Sequence, residues 1–149
     1  MKSKETNSLG RIGGILLVLY LALLIYFLLF SSSFGRNPGF SEHRYNLIPF
    51  REIQRFYHYW KQVGLLSAVL NLAGNLVGFV PWGFLVPLCF KGMRSWKPVV
   101  LSGFFLTLVL ELLQLYLKAG IFDVDDILLN TVGALLGYQI FWIFNRFRR

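Results

Sequence analysis

Four long apolar runs, at residues 12–30, 65–90, 99–117 and 127–144, are separated by more polar stretches. Each is about as long as a helix must be to cross a ~30 Å hydrocarbon core at ~1.5 Å per residue. The second is interrupted by Asn71, Asn75, Pro81 and Pro87, and the third carries one charge, Glu111. The pattern predicts an all-α membrane protein with four transmembrane helices, forming a single domain over residues 1–149. The first run follows Lys2, Lys4 and Arg11, as a signal peptide would, but its apolar core exceeds the ~7–15 residues such peptides use. It therefore reads as a span. In the first loop, 31–40 is rich in Ser, Gly and Pro and reads as turn. Phe50, Ile53, Tyr57, Trp60 and Gly64 then recur at helical spacing, with Arg51, Arg55, His58, Lys61 and Gln62 between them. This spacing predicts a short interfacial helix in the first extracytoplasmic loop, with aromatic rings at headgroup level. An ordinary solvated loop is the plainer alternative.

Composition sharpens the class. Of 149 residues, 56% are hydrophobic and only 15% charged, with a mean hydropathy of +0.57. A soluble domain of this size could not hide that much apolar surface. The formal charge of +8 could suggest nucleic acid, but no basic face interleaves with aromatics in a soluble module, so no nucleic-acid partner is expected. The basic residues instead flank the apolar runs. Lys2, Lys4, Arg11, Lys91, Arg94, Lys97, Arg146, Arg148 and Arg149 on one side outnumber Arg36, Arg44, Arg51, Arg55, Lys61 and Lys118 on the other. That bias predicts cytoplasmic termini. Cys89 is the single cysteine. It excludes an intramolecular disulfide and reads as a small buried hydrophobe.

The candidate chemistry lies in one half of the membrane. A charged residue near a helix centre costs roughly 2.5–3.5 kcal/mol on insertion scales, so Glu111 needs polar company. With the outer boundary at residues 65, 117 and 127, Gln114 and Asn130 fall ~5 Å deep, Glu111 and Asn71 ~9 Å, and Asn75 ~15 Å. Glu111 and Gln114 share one helical face, and Asn71 and Asn75 another. The third loop adds Asp123, Asp125 and Asp126. Asp123, Asp126 and Asn130 are spaced to share one side of a helix, and one of the aspartates is expected to cap the fourth helix. So many acids need cations. Arg51 and Arg55 are candidates, and a divalent cation at Asp123, Asp125 and Asp126 is another. The glycine and glutamate of an EF-hand loop are missing. His58 and His43 do not form a ligand pair. Pro81 should displace the carbonyl of Val77 and kink the second span near its centre. Gly74 with Gly78, and Gly133 with Gly137, are small-residue pairs that permit close helix contact.

Four strings occur together in order: Asn46-Leu47-Ile48-Pro49-Phe50, Gly74-Asn75 through Phe79-Val80-Pro81-Trp82-Gly83-Phe84, Glu111-Leu112-Leu113-Gln114, and Asp123-Val124-Asp125-Asp126 through Asn130-Thr131-Val132-Gly133. Together they resemble the VanZ-like family, over about residues 12–144. The resemblance implies a small multi-span protein of the bacterial plasma membrane, in a family whose named member is associated with resistance to the glycopeptide teicoplanin. It carries no settled biochemical activity with it.

Three readings follow. In the first, a non-catalytic protein binds a lipid headgroup, a lipid-linked cell-wall precursor or the glycopeptide at the polar cluster. Arg51 and Arg55 would contact phosphate, and Glu111, Asp123 and Asp126 amine or hydroxyl groups. The second is an intramembrane enzyme with Glu111 as general base and the aspartates holding a metal. Against it, no serine or cysteine nucleophile stands beside a histidine. In the third, Glu111 hydrogen-bonds Asn71 or Asn130 and the cluster is structural. The oligomeric state is left open.

Overall fold

The computed structural model describes residues 2–30, 43–51, 54, 58 and 65–148; within the helices, side chains are described for residues 10–28 and from residue 72 onward. The elements run α1 (Lys2–Phe30), β1 (Arg44–Asn46), α2 (Leu65–Gly78), α3 (Val80–Cys89), a short 3₁₀ turn (Lys91–Met93), α4 (Trp96–Tyr116), β2 (Ile121–Asp123) and α5 (Val124–Phe147). Among the described residues, four helical stretches are long and apolar enough to cross a membrane: Gly10–Leu28, Leu72–Cys89, Trp96–Tyr116 and Val124–Phe147. The protein is therefore a mostly helical membrane protein with four candidate spans.

The second span is two helices rather than one kinked helix. The interruption falls at Phe79 (φ −97°, ψ −3°), and Pro81 sits at the second position of α3. A helix leaves its first N–H groups without internal partners, so a proline there gives up nothing. Pro81 thus starts a helix instead of bending one. Pro87 lies inside α3.

α5 is the central element. It packs on α3, α4 and α2, while α1 packs chiefly on α3. The approach of α5 to the second span is close enough to require glycine. A Cβ on Gly137 would lie 2.0 Å from the Val80 carbonyl oxygen, one on Gly83 2.0 Å from that of Ala134, and one on Gly133 2.1 Å from that of Leu76. Gly78 differs from the expectation for it. A Cβ there would meet nothing within 4 Å, because its surroundings are open where α2 ends. Gly74 is half-buried in α2. A small apolar core of Leu17, Leu85 and Val86 joins α1 to α3, with Tyr20, Trp82 and Cys89 against it. Most of the remaining large apolar side chains on α1, α4 and α5 face outward, as lipid-facing surfaces do.

Hydropathy gave no sign of the short parallel pairing of β1 with β2. Arg44 stands opposite Ile121, Tyr45 opposite Phe122 and Asn46 opposite Asp123. This pair forms a cap over one end of the bundle. α1 ends at the cap end, where its Leu28 carbonyl accepts from Gln114, and α5 begins there. Arg51, Gln54 and His58 are helical, and the His58 Nδ1 is 2.9 Å from the Gln54 carbonyl. The rest of the expected interfacial helix, Arg55 and Lys61 included, and the 31–40 stretch lie outside the described residues.

Candidate functional site: a carboxylate junction beneath the cap

α4 presents Gly103, Thr107, Leu110, Glu111 and Gln114 as its buried face, a repeat of three and four that matches helical geometry. Glu111 is 3% exposed and Gln114 4%. After Tyr116 the chain must turn sharply into β2. Lys118 takes a left-handed φ of 53°. The Ala119 N–H donates to the Gln114 carbonyl at 2.9 Å and the Lys118 N–H to Leu115 at 3.2 Å, closing the helix in a Schellman arrangement. His43, just before β1, donates from Nδ1 to the same Leu115 carbonyl at 2.9 Å.

Asp123 stands where three elements meet. Its backbone N–H donates to Glu111 Oε2 at 3.0 Å. Its carboxylate accepts the Asn46 amide on both oxygens, at 3.1 and 3.2 Å, and the Asp125 N–H at 2.8 Å. The last bond makes it the N-cap of α5. One residue thereby ties α4, β1 and α5 together. The other two aspartates hold further pieces. Asp125, 1% exposed, accepts the backbone N–H of Phe50. Asp126 accepts the side-chain amide of Asn75 on α2. Both also lie in the first turn of α5, where negative charge is favoured by the helix dipole. Hydrogen bonds of N–H donors to carboxylates are roughly twice as strong as neutral ones, which suits a site where the alternative is a buried carboxylate without donors.

The arrangement brings together Asn46, Asn75, Glu111, Asp123, Asp125 and Asp126, and it sets the Gln114 amide of α4 against the Leu28 carbonyl of α1. It does not gather all the sequence-predicted residues. Asn130 was expected above Glu111. It is instead 2% exposed and donates from Nδ2 to Thr107 Oγ1 at 2.7 Å, a turn farther from the cap. The reason is the cap itself. Asp123 starts α5 at Val124 rather than near 127, which shifts that helix's boundary outward by ~4.5 Å. For the same reason Asn130 is not the partner of Glu111. Among the described residues the Asn130 Oδ1 has no hydrogen-bond partner. Asn75 lies nearer the cap than its ~15 Å count implied, since it meets Asp126 in the first turn of α5. Asn71 is on α2, with its side chain outside the described residues. Arg51 is exposed, as are Pro49 and Phe50.

Thr107 was missed by sequence reading. It is fully buried. A signal existed, because it falls four residues before Glu111 on the face that also carries Gly103 and Gln114. Among the described residues, no three His, Cys, Asp or Glu side chains gather as a metal-ligand group. Asp123, Asp125 and Asp126 accept from partners on β1, the 48–51 turn and α2 in turn.

The model of the family described as VanZ/LLP1 matches residues 17–145. Protein VanZ of Enterococcus faecium is 29% identical over 133 residues, covering 88% of this chain and 74% of that protein. No solved structure matches.

Proposed function

Because the chain belongs to the VanZ/LLP1 family, we propose that it is a non-catalytic protein of the bacterial plasma membrane that alters susceptibility to glycopeptides such as teicoplanin. In this reading the cap faces the cell exterior and both termini face the cytoplasm. The cap recognises phosphate, carried by a lipid headgroup or a lipid-linked wall precursor, or the glycopeptide itself. The observation that carries the proposal is the division of labour at the cap. The acids under it accept protein N–H donors from separate elements, whereas the basic side chain of Arg51 is exposed at its surface. The carboxylates hold the cap in place and the arginine makes the contact. Exposed arginine beside a membrane is suited to phosphate, which it can grip with two parallel N–H donors.

Arg51→Ala tests this. Association with vesicles or immobilised antibiotic should weaken, and teicoplanin susceptibility should shift, with the detergent unfolding midpoint unchanged. Unaltered association and susceptibility would overturn the reading. A general-base role for Glu111 makes the opposite demand of Glu111→Gln. That variant keeps an acceptor for the Asp123 N–H but loses the titrating group. On the proposal it retains the biological effect; loss of the effect in a protein of unchanged stability would favour an enzyme.

A further inference from the structure

The segment that enters and leaves the carboxylate junction has an outward face that the junction does not explain. Asn46 points inward at 6% exposure, yet Tyr45, Leu47, Ile48 and Phe50 are 66%, 59%, 58% and 55% exposed. Arg44 and Arg51 stand at its two ends, also exposed. The segment is nonetheless held firmly. Its strand pairs with β2, and the Asn46 amide is fixed to Asp123. The Ile48 N–H donates to Asn46 Oδ1 at 3.4 Å, and the Phe50 N–H donates to Asp125. The Arg51 N–H reaches the Ile48 carbonyl at 3.3 Å, and the Gln54 N–H the Phe50 carbonyl at 2.9 Å. Phe50 is kept at a left-handed φ of 64°, a conformation that bulky residues avoid unless their surroundings impose it.

A turn whose Ile48, Phe50 and Arg51 N–H groups are bonded within the protein, and whose apolar side chains face outward, suits a backbone that enters hydrocarbon. Water demands the opposite, since contiguous exposed apolar groups mark a contact surface. The neighbours identify what is touched. Ile121, opposite Arg44 in the strand pair, is 40% exposed, and Tyr116 and Leu117 at the cap end of α4 are 78% and 52% exposed. The strand that leads into the turn thus begins beside outward-facing apolar side chains at the end of α4.

We propose that residues 45–50 form an interfacial wedge. Tyr45, Leu47, Ile48 and Phe50 enter the leaflet at the cap end, and Arg44 and Arg51 lie at the level of its phosphates. The occupant of this surface is the bilayer in which the protein resides. The wedge stands whether or not the cap also binds a wall precursor or an antibiotic, and it holds for either orientation of the protein.

The test uses the single cysteine to advantage. In a Cys89→Ala background, Ile48→Cys and, separately, Leu47→Cys are labelled with an environment-sensitive fluorophore. Gly92→Cys in the exposed 3₁₀ turn is the aqueous reference. The full chain is reconstituted into phosphatidylglycerol–phosphatidylcholine vesicles, with and without lipids brominated high on the acyl chain. Probes at 47 and 48 should emit to the blue of the probe at 92. They should be quenched by bromolipid and shielded from aqueous iodide, consistent with insertion to ~5–10 Å. Emission and iodide access at 47 and 48 equal to those at 92 would overturn the wedge. So would probes solvated in vesicles but shielded in native membranes, since a protein partner would then be the cover. Insertion in a protein that leaves glycopeptide susceptibility untouched would keep the wedge while removing the functional proposal.

Discussion

At Asp123 a backbone donor and a side-chain acceptor work in opposite directions. The N–H goes to Glu111, and the carboxylate receives Asn46 and caps α5. Replacing it removes a cap, worth about 1 kcal/mol, and takes the acceptor from a buried amide, a further cost of about 1–3 kcal/mol. Asp123→Ala should therefore lower stability by about 3 kcal/mol, read as the shift in a denaturant titration in detergent micelles. Asp123→Asn retains an acceptor and should lose less. An Asp123→Ala protein as stable as wild type would mean that the junction does not hold the cap. The aspartate string announced a helix start, because a side-chain acceptor before an apolar run has few other uses. Its partner Asn46 was visible only through family resemblance, since nothing in local spacing links residues so far apart in the chain. Thr107 was overlooked because a hydroxyl in an apolar run is common, and its use depends on what crosses it.

Among the elements, the second span shows how local rules can be right and incomplete. Prolines interrupt helices, and one was expected to bend this one. The chain instead stops at Phe79 and restarts with Pro81 near the new N-terminus, where its missing donor costs nothing. The restart aligns α3 for contact with α5 through Gly83 and Gly137. Gly137→Ala, which places a Cβ 2.0 Å from a backbone oxygen, should destabilise by about 1–3 kcal/mol as the helices are forced apart. Gly78→Ala is the matched control. Its Cβ meets nothing, and alanine is a better helix former, so stability should hold or rise slightly. Equal losses in the two unfolding curves would mean that the close approach is not what these glycines serve. The pair Gly74 and Gly78 has the same spacing as Gly133 and Gly137, and only the partner helix tells them apart.

On the scale of the whole molecule, the chain divides into a basic end and a capped end. At the basic end Lys97 sits over Trp96 at 5.8 Å and Arg146 over Trp142 at 5.5 Å, pairings typical of a membrane–water boundary. With this end inward, a reporter fused after Arg149 should be active only as a cytoplasmic marker, and a cysteine probe in the first loop should label from outside intact cells. The reverse pattern would invert the orientation and move the cap, together with its proposed ligands, to the cytoplasm. Four membrane-crossing stretches were legible in the sequence because hydrocarbon imposes a length and a composition that no tertiary contact can relax. So was the need to provide partners for buried acids. Which donor meets which acid, where the second span breaks, and that two three-residue strands close one end were decided in three dimensions. Hydrogen bonds between distant segments depend on register and helix phase, and neither is written in any local window of the chain.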